Sequence, residues 1–131
     1  MLVETNPDHY VFDPTAGSNV ELLYHFTVDC RKNIDTIHST VDGNTICVYE
    51  KNTKSIVSRI NAESIEYSGT TFSFYLATRL TTSGVHFLYI PSNTIEFVNG
   101  TKSPFTMIGY KINVSEDEDE IQFYEYQSIG K

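Results

Sequence analysis

Apolar and polar residues alternate with a period of two over much of the chain, and that period predicts strands. In Val20–Val28 (VELLYHFTV) the residues Val20, Leu22, Tyr24, Phe26 and Val28 share one face, against Glu21, Leu23, His25 and Thr27 on the other. Thr71–Leu80 (TFSFYLATRL) repeats the pattern. Phe72, Phe74 and Leu76 share a face that Thr78 and Leu80 continue, opposite Ser73, Tyr75, Ala77 and Arg79. Val85–Ile90 is an almost continuous apolar run, as a strand buried on both faces would be. Pro91 has no amide proton for a ladder and should end it.

Turn residues divide the remainder. Asp13-Pro14-Thr15-Ala16-Gly17 reads as a turn, with proline fixing φ and glycine free to take positive φ, and His9–Phe12 before it as a short strand. Asp42-Gly43-Asn44 is the clearest tight turn. Ile46–Glu50, the polar turn Lys51–Lys54 and Ser55–Ile60 then read as a hairpin. Ser64–Tyr67 and Ile95–Val98 are short strands, and Ser68-Gly69 and Asn99-Gly100 are turns. Phe105–Val114 is a strand in which Gly109 suggests a bulge, and Ile121–Gln127 is the last candidate. Helical periodicity is not sustained anywhere; Asn61-Ala62-Glu63 allows one turn of helix. About eight or nine short strands at this spacing predict an all-β, antiparallel sandwich.

Composition agrees. The chain has 131 residues, enough for one domain with its own core. It is 13% aromatic, with nine Tyr, eight Phe and no Trp. Aromatic and β-branched residues suit a half-buried pleated surface.

Charge narrows the partners. The net charge is −8, from 17 acids against 9 bases, and five of the acids form the block Glu116–Glu120. Without clustered Lys and Arg, neither nucleic acid nor an anionic membrane surface is an expected partner. No apolar stretch approaches the roughly 20 residues of a spanning helix. The segment MLVETNPDHYVF lacks the basic and apolar regions of a signal peptide, so export by the general secretory route is not expected.

Candidate chemistry is sparse. The four histidines, His9, His25, His38 and His86, have no metal-ligand spacing among themselves, and Cys30 and Cys47 do not form a zinc-ribbon pair. The two cysteines read as free thiols, with one bridge between neighbouring strands as the alternative. No nucleophile elbow, phosphate loop or dinucleotide fingerprint occurs, and carboxylates such as Asp35 and Asp42 have no spacing that makes them a dyad. No enzymatic activity, cofactor or metal is expected. The acidic block lacks the alternating ligands and central glycine of a calcium loop and reads as a solvated connector. Behind it, Ile121, Phe123, Tyr124 and Tyr126 form an aromatic segment that is costly to leave in water. These four are the candidate partner-docking residues. Tyr24, Tyr49, Tyr67, Tyr75, Tyr89, Tyr110, Tyr124 and Tyr126 are candidates for a sugar-stacking platform, with cross-strand packing as the simpler reading. The sequons at Asn99 and Asn113 matter only in a eukaryotic secretory setting.

From Asp13 to about Val114 the chain resembles bacterial Ig-like domains. The residues that carry the resemblance are Asp13-Pro14 to Gly17 and Val20, the strand Leu22–Val28, the strand Ile46–Tyr49, Phe72–Leu76 with Leu80 and Gly84, the Ile90-Pro91 step, and Phe97 before Gly100. The resemblance implies an Ig-like sandwich and no catalytic set. It divides the chain into an arm at 1–12, an Ig-like domain at 13–114, and an acidic linker with a C-terminal strand or arm at 115–131. Ig-like domains of this kind occur in bacterial surface proteins and in phage capsids and tails. A single domain without an export signal therefore leads to the expectation of a virion protein that decorates or joins particle parts by docking on other virion proteins within an assembly. The alternative is an adhesion or carbohydrate-binding module at the bacterial surface, with host glycans as partners.

Overall fold

A computed structural model describes residues 7, 9–40, 44–80 and 82–112. The chain is all-β and rich in antiparallel pairs. Among the described residues, eleven strands run in the order β1 (Val11–Asp13), β2 (Asn19–Val20), β3 (Leu23–Asp29), β4 (Ile34–Ile37), β5 (Ile46–Glu50), β6 (Ser55–Ile60), β7 (Glu66–Ser68), β8 (Thr71–Leu80), β9 (Gly84–Ile90), β10 (Ile95–Phe97) and β11 (Thr106–Ile112). One short 3-10 turn, Ala62–Ser64, sits between β6 and β7.

Two larger sheets enclose the core. One has the strand order β1-β3-β8-β7 and the other β2-β11-β9-β5-β6, while β4 and β10 form a small ladder of their own. The inward residues follow the period of two. Phe72, Phe74 and Leu76 of β8 are buried, as are Phe26 and Val28 of β3, while Tyr75, Ala77 and Arg79 are exposed. Ile46, Val48, Leu88, Ile90, Ile108, Tyr110 and Ile112 come from the second sheet into the same core. Rings tie the layers together. Phe26 stacks on Phe74 at 5.2 Å within one sheet and meets the edge of Tyr110 from the other at 5.6 Å.

The first strand changes sheets. β1 pairs antiparallel with β3, whereas β2 pairs with β11 in parallel, the one parallel pair among the described residues. Between them the Asp13–Pro14 bond is cis, and Gly17 takes φ +81, a conformation open to glycine at little cost. Three hydrogen bonds hold the crossing to β11. The Tyr110 hydroxyl donates to Pro14 O at 2.7 Å, Gly17 N–H to Gly109 O at 2.8 Å, and Lys111 N–H to Ser18 O at 3.1 Å. Tyr10 and Phe12, before the expected boundary at residue 13, belong to the core.

Several sequence expectations change. The strand expected over Val20–Val28 is interrupted, and its first apolar residues exchange faces. Leu23 is 1% exposed and Leu22 is 37% exposed. The cause is a register shift. Leu23 pairs with Leu80 and His25 with Tyr75, so Tyr24 alone faces residues 76–79 of β8. Gly109 is not a bulge; it pairs in register with Phe87. β4 was not expected. Its four residues are held by His38 N–H to Thr94 O at 2.7 Å and by pairing with β10. The Asp42-Gly43 part of the expected turn lies outside the described residues, as does the candidate strand Ile121–Gln127.

Buried serines stitch the loops to the core. Ser39 Oγ donates to Ile60 O at 2.5 Å and accepts from Ile46 N–H at 2.9 Å, and Ser103 Oγ accepts from Ile95 N–H at 2.9 Å. Each satisfies a backbone group that would otherwise be buried without a partner.

Truncating the central ring should be the costliest change in the core. We expect Phe26→Ala to lower unfolding free energy by about 3–5 kcal/mol. Tyr110→Phe, which removes only the bond to Pro14 O, should cost about 1 kcal/mol. Urea unfolding followed by circular dichroism measures both, and equal losses for the two variants would contradict this picture.

Candidate functional site

The described residues present two outer faces of unlike chemistry. In the five-stranded sheet, Ile46, Val48, Leu88, Ile90, Ile108 and Tyr110 point into the core, so the alternate positions face outward. Two rows result. Arg59, Cys47, Tyr89 and Met107 are cross-strand neighbours, as are Ile56, Tyr49, Phe87 and Gly109. Cys47, Phe87 and Met107 are buried although they lie outside the contiguous core. Tyr89 and Phe105 meet edge to face at 5.2 Å. An antiparallel sheet with one face in water ordinarily carries polar residues there. Here those positions are mostly apolar or aromatic.

The outer face of the four-stranded sheet is different. Tyr75, 64% exposed, is its centre. His25, its cross-strand partner, stacks on it at 4.1 Å, and Tyr24 lies 5.9 Å away. The Arg79 guanidinium covers the Tyr24 ring at 4.8 Å, a cation–π contact. The register shift that sets Tyr24 against four residues of β8 gathers these groups. β7 pairs with Thr71–Ser73, and among the described residues no strand pairs with the same edge of β8 beyond them, where β8 approaches β6. Between them lies a cleft of about 170 Å³ lined by Ser58, Arg59, Ile60, Ser64, Tyr75 and Ala77. Among the described residues, neither Arg59 nor Arg79 has a carboxylate partner.

Other candidates take up structural positions. The Tyr67 hydroxyl donates to Asp35 O at 2.8 Å, and Tyr110 is in the core. His86 is buried, with Nδ1 3.4 Å from Gly84 O. His38 Nε2 stands 3.3 Å from Glu96 Oε1, bridging β4 and β10 on the surface, where such pairs contribute little. His9 packs edge-on against Tyr10 at 5.0 Å. Among the described residues no group of three or more His, Cys, Asp or Glu is placed to hold a metal ion, and no helix is long and apolar enough to cross a membrane. Ile121, Phe123, Tyr124 and Tyr126, the sequence-based docking candidates, lie outside the described residues, as do the block Glu116–Glu120, the residues Asp42 and Asn113, and Met1–Asn6 and Asp8 of the arm. The cluster around Tyr75 was only partly legible. Tyr24 and Tyr75 stood among eight candidate tyrosines, and the pairing that joins them to His25 and Arg79 depends on register.

Both cysteines are free and buried. Burial raises the Cys30 thiol to about 12 and the Cys47 thiol to about 11. The Tyr10 hydroxyl, beside Cys30, is also pushed up by burial and has no conventional hydrogen-bond partner among the described residues. Such thiols are protonated at neutral pH and make poor nucleophiles.

Two consequences are measurable. A thiol reagent at pH 8 should leave both cysteines intact until the protein unfolds, and fast native labelling of either would contradict their burial. Because each folded thiol titrates above the ordinary 9.0, its contribution to stability is complete below that pH and is lost as pH rises through the raised values. The melting temperature should therefore fall between pH 9 and 12, and Cys47→Ser should weaken that slope. Comparisons with protein-family models, curated proteins and solved structures find no match to this chain.

Proposed function

We propose that the chain is a non-enzymatic Ig-like protein that acts by docking onto other proteins. The observation that carries this reading is the apolar outer face of the five-stranded sheet. Of its rows, Phe87 and Met107 are already buried, while Tyr49 and Tyr89 are half-buried and are what a protein partner would cover, since aromatic residues are enriched at interfaces. The edge strand β6 adds Ile56 and Val57, 40% and 39% exposed.

The strand orders support the Ig-like part of the reading. The order β1-β3-β8-β7 corresponds to the A-B-E-D sheet of an Ig domain, and β11-β9-β5-β6 to G-F-C-C′, with the first strand divided between the two sheets. In this reading β4 and β10 are additions to the loops. The leading setting is a virion, where the protein decorates or joins parts of the particle, because phage particles carry Ig-like domains of the kind the sequence resembles. The second reading is an adhesion or carbohydrate-binding module at a bacterial surface. It is favoured by one specific observation, the exposed Tyr75 flanked by His25 and Tyr24.

The docking face makes a direct test. Tyr89→Asp combined with Phe105→Asp should abolish incorporation of the tagged protein into assembled particles while leaving its circular dichroism spectrum unchanged. Undiminished incorporation of that folded variant would reject attachment through this face. In parallel, deletion of residues 116–131 should reduce incorporation if the C-terminal aromatic segment is a tether; full incorporation would remove it from the docking surface.

A further inference from the structure

We infer that the cleft between β6 and β8, with the Tyr75 cluster beside it, is a binding site for a saccharide bearing a carboxylate, of the uronate or sialate class. The inference rests on the second reading given above, and it names the ligand.

Three features of the site select this chemistry. First, Tyr75 is 64% exposed as a residue, and the His25 ring stacks on one of its faces at 4.1 Å and fixes its orientation. A flat ring held in place is what the apolar face of a pyranose stacks on, and its rigidity lowers the entropic cost of binding. Second, two arginines belong to the site. Arg59 lines the cleft with Tyr75, and Arg79 is reached through Tyr24. Neither has a carboxylate partner among the described residues, in a protein whose net charge is −8. Unpaired arginines on an acidic protein leave a local positive field, and a guanidinium accepts a planar carboxylate in bidentate fashion. Third, the Ser58 and Ser64 residues on the cleft wall supply hydroxyl groups that can donate to or accept from sugar hydroxyls.

Size restricts the ligand further. The cleft of about 170 Å³ lies below the usual range of roughly 300–1,000 Å³ for drug-sized ligands. It suits one carboxylate-bearing residue of a chain, with the rest of the glycan lying along the exposed sheet face. A neutral sugar would satisfy Tyr75 but leave both guanidiniums without a counter-charge. Affinity for one residue is therefore low, in the millimolar range, and declines as salt screens the pairing.

The test uses the full chain in solution with free glucuronate, N-acetylneuraminate and glucose as probes, and dextran sulfate, which carries sulfate and no carboxylate, as the polyanion control. Binding is followed by chemical-shift changes of backbone amides. We expect saturable shifts in β6 and β8 with the two carboxylated sugars and about a tenfold or greater loss of affinity in Tyr75→Ala. Arg59→Gln and Arg79→Gln should each weaken the carboxylated sugars and leave any glucose binding unchanged. Retention of the native spectrum in each variant excludes unfolding as the cause. Equal binding of glucose and glucuronate, lost in Tyr75→Ala, would overturn the acidic-sugar inference and leave the carbohydrate reading standing. Binding of dextran sulfate alone would also overturn it, in favour of a general polyanion surface. No binding of any probe would overturn both.

Discussion

The fold depends on a single closure: a chain that starts in one sheet and crosses to the other must be held while both sheets pack on the same aromatic core. Tyr110 serves both needs at once. Its ring meets Phe26 across the sandwich, and its hydroxyl caps the Pro14 carbonyl at the crossing. The hydroxyl is buried, which raises its pKa, and the hydrogen bond offsets the cost of that burial. Around the crossing, Gly17 and Ser18 add backbone bonds to β11, so β2 can pair in parallel where the other pairs are antiparallel. With β1 and β2 in place, each sheet gains a strand at one edge and the core gains Phe12.

Once the core is closed, the two outer faces are free to differ, and their difference follows from which residues alternate with the core set. On β9 and β11 the alternates are Phe87, Tyr89 and Met107; on β8 they are Ser73, Tyr75, Ala77 and Arg79. One face is therefore suited to being covered and the other to being presented. The two sites meet at β6, whose Ile56 and Val57 extend the apolar face and whose Ser58 and Arg59 line the cleft toward β8.

How much of this was legible follows from the physics of each signal. Long strands with strict alternation, such as β8, were readable because Phe72, Phe74 and Leu76 leave no other consistent arrangement. The hairpin β5–β6 was readable because a polar turn separates two apolar runs. Leu22 and Leu23 were not distinguishable, since either can be the buried one and only the register shift at Tyr24 decides. β4 is too short to show a period; Ile34 and Ile37 are both buried with Asp35 and Thr36 between them, and long-range bonds define it. Gly109 could not be read from propensity, because a glycine marks a bulge or simply a position in a regular ladder. The candidate site was the least legible part. Tyr75 was one of eight candidate tyrosines with nothing in the sequence to single it out, and its partners come from β3, β6 and the turn before β7.

Weak binding at such a site is compatible with a strong biological effect only if copies act together. In the proposed mode a single Tyr75 cleft would engage one sugar residue. If the apolar face fixes many copies on one particle or surface, a glycan chain that leaves one site meets the next at high local concentration, and avidity exceeds the single-site affinity by orders of magnitude. The two faces then form one device. The apolar rows would set the spacing and orientation of the copies, and the cleft between β6 and β8 would convert that spacing into retention. An isolated copy would lack that retention, so the mounting face governs how well the presenting face works.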